Sequence, residues 1–140
     1  MSLHKLIDFV PEHIPLIGDP TPVSIAHWLA ENSRASLTVL QEDKCLAAFG
    51  LCALHETAAQ AWMLVNPEYR YSHAKTILRA AKEEIERWQI SEGFNRVQIT
   101  IEFANAGFVR WSKLLGFQLE GLMRCYGQDG QDHFLMARIR

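Results

Sequence analysis

Charge of one sign is what this sequence of 140 residues most clearly lacks. It contains 14 lysines and arginines against 16 aspartates and glutamates, which gives a formal net charge of −2. Proteins that bind nucleic acid usually carry an excess of basic residues, because much of that binding comes from neutralised phosphates. We therefore expect no nucleic-acid partner.

Long apolar runs are also absent from the sequence. No stretch approaches the roughly 18 apolar residues that a membrane-spanning helix needs. The segment from Met1 to Lys5 lacks the apolar stretch of a signal peptide. We expect no membrane partner and a cytoplasmic protein.

Cysteine is scarce, and its three positions form no motif. Cys45, Cys52 and Cys125 are an odd number without a C-x-x-C pair, so neither a disulfide framework nor a thiolate metal site is indicated. Cys52 and His55 have C-x-x-H spacing, but the sequence offers no second pair of ligands. We expect buried free thiols and no metal.

The sequence does have the composition of a globular domain. Apolar residues make up 49% and charged residues 21% of a chain of single-domain length. We expect residues 1–140 to form one domain. The only loop-rich stretch runs from Pro11 to Pro22, where four prolines and Gly18 interrupt regular structure, and we interpret it as a surface loop.

Three segments have the apolar spacing of amphipathic helices. They are residues 23–32, a longer segment of about five turns that begins near Ala74, and a short segment around Phe108 to Leu115. Each is preceded by a residue whose side chain can cap a helix. These residues are Thr21, Ser72 and Asn105.

Six segments have the alternation or the short apolar runs of strands. They are residues 36–41, 45–54, 59–65, 97–103, 117–123 and 133–139. The first two are joined at Glu42 to Lys44, and the last two through Gly127 to Gly130. The order is helix, three strands, helix, strand, helix, two strands, which predicts an α+β fold with helices packed on a mixed sheet.

Three local sequences stand beside these elements: Val65 to Arg70 before the long helix, Asn105 before the short one, and Gly116-Phe117 after it. With them, residues 36–140 resemble the GNAT superfamily of acyl-CoA-dependent N-acetyltransferases. The segment Glu120 to Arg124 also resembles the "E-G-x-x-R" of members that acetylate protein N-termini. The resemblance implies a mostly antiparallel sheet of six to seven strands flanked by helices.

The resemblance also implies a reaction. Acetyl-CoA is the expected co-substrate, and the acceptor is an amine on a protein, a peptide or a small molecule that attacks the thioester directly. By the family pattern, main-chain amides on the third strand hold the developing oxyanion. Asn105 borders the pantetheine arm or caps the helix that lines it. The residues implied in these two roles are Met63, Leu64, Val65, Asn105, Phe108 and Trp111.

A phosphate-binding loop is expected before the long helix, because a helix N-terminus presents unpaired amides and a partial positive charge. The residues implied are Arg70, Tyr71, Ser72, His73, Ala74, Lys75 and Thr76. His73 and Lys75 stand where the family has small residues that let phosphate approach the backbone. Their side chains either meet the phosphates directly, or Lys75 belongs to a solvated helix face and Ser72 is only a cap.

The sequence indicates the general acid and the general base of the expected reaction less clearly. Ser112 occupies the position where many members have a tyrosine acid, and Tyr126 is the alternative acid. Glu102 is a candidate base near a strand end. Three other candidate bases have similar positions: His55, Glu56 and Asp132.

Two further interpretations remain open. The chain can be a GNAT-fold protein without catalysis that serves as a binding or assembly component, because Arg110 to Phe117 also resembles phage and prophage proteins. It can also be a sensor that binds CoA without turnover. Strand pairing or exposed apolar surface would support a homodimer.

Overall fold

The computed structural model describes residues 4–140 and contains one seven-stranded sheet with four helices. The elements in chain order are β1 (His4–Asp8), α1 (His13–Ile17), α2 (Val23–Asn32), β2 (Ser33–Gln41), β3 (Lys44–His55), β4 (Ala58–Val65), α3 (Ala74–Ser91), β5 (Arg96–Glu102), α4 (Ala106–Leu114), β6 (Gln118–Met123) and β7 (His133–Ile139). The strand order is β1-β2-β3-β4-β5-β7-β6, and every pair is antiparallel except β4–β5. The predicted α+β, mostly antiparallel architecture is confirmed.

The N-terminal region is more regular than the sequence suggested. Strand β1 was not predicted, and the stretch from Pro11 to Pro22 contains helix α1 instead of being only a loop. Ile14 and Ile17 fall three residues apart and are both buried, so this single turn packs its apolar side against the sheet. The prolines of this stretch predicted a loop, but Pro15 is compatible with a helix. It lies in the first turn, where its missing N–H costs no intrahelical hydrogen bond.

Of the three predicted helix caps, the structure contains one. Asn105 caps α4 as predicted, since its side chain accepts a hydrogen bond from the Phe108 N–H at 3.2 Å. The other two predictions were wrong. Helix α3 starts after His73 without a side-chain cap, and Thr21 donates to Asp19 instead of capping α2, which starts after Pro22.

Helices α3 and α4 pack on one face of the sheet. The main core lies there, with Phe49 of β3, Ile77 and Trp88 of α3, and Met136 of β7 among its buried members. Helices α1 and α2 cover the opposite face, but their core includes side chains from β2, β3 and β4 only. The opposite face of β5, β7 and β6 therefore contributes nothing to that core; we call it the open face.

Cysteine exposure corrects one prediction. Cys45 and Cys52 are buried free thiols, whereas Cys125 is exposed in the β6–β7 loop. It has a left-handed backbone with φ of 55°, a conformation that belongs to turns rather than to buried strands.

Among residues 4–140, no group of histidine, cysteine and carboxylate side chains could hold a metal ion. No helix in that range is both long enough and apolar enough to span a membrane. Met1 to Leu3, part of the segment inspected for a signal peptide, lie outside it.

Candidate active site

Strands β4 and β5 pair over only three residues each. The parallel ladder joins residues 58–60 to residues 96–98, and the side chains of Gln60 and Gln98 meet at its end, where Gln98 Nε2 donates to Gln60 Oε1 at 3.2 Å. Beyond this point the two strands diverge, although both continue to Val65 and Glu102. The main chain on the facing sides of the diverging ends therefore lacks strand partners.

The divergence opens a cleft between the strands, which we call the inter-strand cleft. Its lining residues come from β4, β5 and the start of α4: Gln60, Ala61, Trp62, Met63, Ile99, Thr100, Ile101, Glu102, Asn105 and Phe108. A second cavity of about 290 Å³ adjoins it, shares Met63, Asn105 and Phe108, and is here called the outer cleft. The outer cleft is also lined by Asp19, Val65, Pro67, Arg70, Tyr71, Gly107, Arg110 and Trp111.

The buried Asn66 fixes the chain where it leaves β4. Its amide Nδ2 donates to the Cys45 carbonyl at 2.9 Å and to the Leu16 carbonyl at 3.3 Å, while its Oδ1 accepts from the Glu68 N–H at 3.0 Å. One side chain thus ties β3, α1 and the loop before α3 together. Sequence reasoning used Asn66 only as the residue before Pro67, although a buried asparagine at a strand end is a signal for such a role.

The loop from Pro67 to His73 is a series of turns that keeps several amides free. Tyr69 and His73 donate their N–H groups to the carbonyls of Asn66 and Tyr69. Within residues 4–140, no backbone acceptor binds the N–H of Arg70, Tyr71 or Ser72. Consecutive free amides of this kind can bind an anion.

Seven of the thirteen predicted cofactor residues line the outer cleft, and three of them also line the inter-strand cleft. They are Met63, Val65, Arg70, Tyr71, Asn105, Phe108 and Trp111. The other six line neither cleft: Leu64, Ser72, His73, Ala74, Lys75 and Thr76. Leu64 packs on the opposite face with the second core, because successive strand residues alternate between faces.

His73 and Lys75 therefore leave the outer cleft open. The His73 ring packs edge-on against Tyr69 at 5.3 Å and its Nδ1 meets Ser72 Oγ at 2.8 Å, while Lys75 is exposed. The charged groups that line the outer cleft are Arg70, Arg110 and Asp19. Arg70 donates to the Tyr71 hydroxyl at 2.6 Å and stacks on its ring at 4.8 Å. Sequence reasoning missed the cleft role of Arg110 because arginines on an exposed helix face are common.

The predicted acids and bases are scattered. Ser112 is 1% exposed within α4 and lines neither cleft. Tyr126 lies in the β6–β7 loop, outside both clefts. Glu102 lines the inter-strand cleft and also the pocket that contains Tyr126, so it alone of the three predicted catalytic residues borders the cleft.

The remaining candidate bases lie elsewhere. His55 and Glu56 are at the β3–β4 turn, at the opposite end of β4 from the clefts. Asp132 accepts a hydrogen bond from the Cys125 N–H at 2.9 Å within the β6–β7 loop.

The resolved pKa shifts fall outside the clefts. On the open face, the hydrogen bond from Arg96 lowers the pKa of the Glu120 carboxyl, and the same bond raises the pKa of Arg96. Burial raises the pKa of the Cys45 thiol. Burial also lowers the pKa of His13, against a smaller opposing effect of Glu12.

Comparison with known proteins supports the fold independently. No protein-family model matches the chain, and no curated protein matches its sequence. Solved structures do match. Ard1 from Thermoplasma volcanium superposes with a TM-score of 0.80 at 15% identity, covering 97% of both chains. The ribosomal-protein-S18-alanine N-acetyltransferase from Escherichia coli has a TM-score of 0.72 at 18% identity, covering 98% of this chain and 94% of that one.

A further match is the IAA acetyltransferase from Bacillus cereus, with a TM-score of 0.77 at 12% identity, covering 99% of this chain and 100% of that one. At such identities the likeness establishes the architecture and does not establish the activity. The chain has the GNAT fold, and the cleft lies between β4 and β5, the one parallel strand pair among residues 4–140.

Proposed function

We propose that this chain is an acyl-CoA-dependent N-acetyltransferase that transfers acetyl from acetyl-CoA to an amine. The observation that carries the proposal is the lining of the two clefts. Met63, Asn105 and Phe108 border both, while Arg70 and Trp111 border the outer one. Residues predicted from three separate sequence segments therefore line two adjoining clefts.

The same geometry supports a direct-attack mechanism. The diverging ends of β4 and β5 leave main-chain groups near Met63 without strand partners, and an amide there can donate to the thioester oxygen as negative charge develops on it. The acceptor nitrogen forms the new C–N bond, and the C–S bond breaks with its electron pair going to the thiolate. A proton lost by the nitrogen restores the thiol. In this proposal Glu102, which lines the inter-strand cleft, accepts a proton from the acceptor.

We assign phosphate binding to the outer cleft. Free amides at Arg70, Tyr71 and Ser72 and the guanidinium groups of Arg70 and Arg110 supply donors and positive charge, while Asp19 contributes one opposing carboxylate. In this assignment the side chains at the start of α3, including Lys75, contribute little. The assignment keeps Arg70 from the sequence prediction and adds Arg110.

The first experiment is calorimetric titration with acetyl-CoA. Arg70→Ala is expected to weaken acetyl-CoA binding about tenfold or more, because a charge-assisted hydrogen bond contributes about 1.5–3 kcal/mol. Arg79→Ala is the matched control, since Arg79 is an exposed arginine of α3 that lines neither cleft. Lys75→Glu is expected to change affinity less than Arg70→Ala. Equal affinities for the wild type and Arg70→Ala would remove the loop from the phosphate site.

Transfer is tested separately from binding. The protein is incubated with acetyl-CoA and primary-amine acceptors, and free CoA thiol and acetylated product are measured together. Two structural neighbours are named as N-acetyltransferases, one of a ribosomal-protein alanine and the other of spermidine. The first acceptors to use are therefore spermidine and a peptide with an N-terminal alanine. Product formation above the rate without protein supports the proposal, and its absence with both acceptors contradicts it.

A protein that binds acyl-CoA without transferring the acyl group is the second candidate. One observation favours it: the tyrosine position of α4 holds the buried Ser112, and the alternative acid, Tyr126, borders neither cleft. Tight acetyl-CoA binding without acetylated product would select this candidate. In both cases we propose that residues 1–140 form one domain. The homodimer and the cytoplasmic location stay predictions.

A further inference from the structure

Two glutamines close the inter-strand cleft at the point where β4 and β5 separate. Gln60 and Gln98 are the last register pair of the parallel ladder, and Gln98 Nε2 donates to Gln60 Oε1 at 3.2 Å. The neighbours of each glutamine along its strand belong to the main core or pack against it, so both side chains lie on the opposite face. Gln60 lines the cleft with Gln98 beside it, and we call this pair the closed end.

The hydrogen bonds at the closed end run in one direction, from a cation towards the cleft. Arg96 Nε donates to Gln98 Oε1 at 3.0 Å, and Gln98 Nε2 donates in turn to Gln60 Oε1. The Glu120 carboxylate holds the other nitrogens of the Arg96 guanidinium at 3.0 and 2.6 Å. Hydrogen bonds aligned in this way polarise one another, which strengthens the last donor of the chain.

That last donor is Gln60 Nε2. The oxygen of the same amide is already bonded to Gln98, so the nitrogen and its two protons are left to bind something else. Within residues 4–140 no atom accepts from it, and it is not among the buried polar atoms that lack a partner, so solvent reaches it. Because Gln60 lines the inter-strand cleft, a molecule in that cleft can supply the acceptor.

The cleft is longer than an acetyl group requires. It follows β4 from Met63, near the proposed oxyanion amide, to Gln60, a distance of about 10 Å for three residues of strand. The proposed phosphate site lies beyond Met63 in the outer cleft, so the acyl end of a bound thioester is directed to the closed end. An acetyl group extends only about 1.5 Å past its carbonyl carbon. Space for a longer acyl group therefore remains before Gln60.

The side chains along this stretch of β4 leave the space open. Trp62 is the largest of them, but its indole Nε1 donates to Ser33 Oγ of β2 at 2.8 Å, so the ring is turned over β3. A Cβ atom at Gly50 of β3 would lie 2.8 Å from the Trp62 ring, and a glycine at this position leaves room for it. Ala61, the other residue of this stretch, has only a methyl group.

The charges favour an anion at the closed end. Arg96 and Glu120 together are neutral, but it is the guanidinium that bonds to Gln98 and so lies nearer to the cleft. Glu102 is the one carboxylate that lines this cleft among residues 4–140, and it is four residues past Gln98, about 13 Å along β5. This exceeds the screening length of about 8 Å at physiological salt. A carboxylate at Gln60 therefore meets a polarised donor without strong repulsion.

We propose that the closed end is a site for the tail of the acyl group, and that this chain prefers an acyl-CoA whose acyl group ends in a carboxylate, of the succinyl class, over acetyl-CoA. This inference rests on the proposed acyltransferase function. A succinyl group places its carboxylate oxygens about 5 Å beyond the thioester carbon, and a hydrogen bond of about 3 Å then reaches Gln60 Nε2. Gln60 is a specificity-determining residue in this proposal.

The bonds that form and break are those of the proposed reaction. The amine nitrogen forms a C–N bond to the succinyl carbonyl carbon, and the C–S bond breaks with its electron pair going to the thiolate. A proton lost by the nitrogen restores the thiol. The distal carboxylate stays ionised and takes no part in the transfer.

Three acyl donors separate the charge of the tail from its length. Acetyl-CoA has no tail, butyryl-CoA has a four-carbon acyl group without charge, and succinyl-CoA has the same chain length with a terminal carboxylate. Spermidine and a peptide with an N-terminal alanine are the acceptors, and acylated product and free CoA thiol are measured against a blank without protein. We expect the wild type to use succinyl-CoA with a kcat/KM about tenfold or more above that for either other donor.

Gln60→Glu is the sharpest variant. Glutamate keeps the shape of the side chain and an oxygen that accepts from Gln98, but it replaces the free amide group with a carboxylate oxygen. We expect the succinyl-to-butyryl ratio of kcat/KM to fall about tenfold or more. Gln60→Leu removes the donor without adding charge and should lower the same ratio. Gln118→Glu and Gln118→Leu are the matched controls, because Gln118 is an exposed strand glutamine that lines neither cleft.

The other outcomes separate the two proposals. A wild type that uses butyryl-CoA as well as succinyl-CoA, or acetyl-CoA better than both, overturns the inference. So does an equal loss with all three donors in the Gln60 variants, which would assign Gln60 a structural role, or an unchanged ratio in both. In each of these cases a wild type that transfers acetyl leaves the proposed function intact. A wild type that transfers none of the three acyl groups to either amine overturns both.

Discussion

The two halves of the sheet are built differently. Strands β2, β3 and β4 are packed on both faces, by α3 on one side and by α1 and α2 on the other. Strands β5 and β7 use one face for the main core and leave polar side chains such as Glu102 and His133 on the other. The first half is covered on both faces and the second on one, and the clefts lie where the two halves separate.

Packing in the first half should dominate stability. Phe49→Ala removes a side chain that is 1% exposed at the centre of the main core, and we expect a loss of about 3–5 kcal/mol in the free energy of unfolding. Phe134→Ala in the second half is the comparison, because Phe134 is only partly buried, and about 1–2 kcal/mol is expected. Urea unfolding measures both variants. Equal losses would remove the distinction between the halves.

The residues that precede α4 and α3 should differ less in their contribution to stability. Asn105→Ala breaks the side-chain bond to the Phe108 N–H and should cost about 1 kcal/mol, without any ligand. Ser72→Ala is the matched variant before α3, and we expect under about 0.5 kcal/mol because Ser72 is exposed and caps nothing. Thermal unfolding of the two variants measures the loss of stability in each. A larger loss of stability for Ser72→Ala than for Asn105→Ala would reverse the assignment of the caps.

The smallest change in stability is expected for a substitution on the open face. The hydrogen bond from Arg96 keeps the pKa of Glu120 below its unfolded value, so the pair stabilises the fold above the unfolded pKa and loses that contribution as pH falls through the folded pKa. Glu120→Gln should therefore destabilise slightly at pH 7 and weaken the loss of stability on acidification. Because both groups are near solvent, the change is small.

Urea midpoints at neutral and acidic pH measure this effect. Glu83→Gln serves as the control, since Glu83 is exposed on α3 and forms no ion pair within the described residues. Identical acid dependence of Glu120→Gln and the wild type would show that the Arg96–Glu120 contact contributes nothing to folding.

The sequence predicted those elements whose signal is local. Helix α2 has the predicted bounds, and the strands before and after α3 lie within one or two residues of their predicted positions. Asn105 was found because an N-cap depends on its immediate neighbours. Strand β1 was missed because its five residues are exposed or half-buried and carry little apolar alternation.

The site was less accessible to sequence reasoning, because it depends on contacts between distant segments. Asp19 and Arg110 reach the outer cleft from parts of the chain 91 residues apart, and neither has a local motif. Gln60 and Gln98 are 38 residues apart, and only the pairing of β4 with β5 brings their amides together. Strand pairing and register are tertiary properties that a short pattern does not encode.

The three-residue ladder between β4 and β5 also has a consequence for amide exchange with solvent. Past Gln60, β4 keeps its β3 ladder on one side and has a vacant edge on the other. An extended ligand that carries amide groups of its own can continue the interrupted ladder there, as an added strand does at a sheet edge. Deuterium uptake at residues 61–65 should then slow when such a ligand binds, which makes the vacant edge a built-in reporter of occupancy.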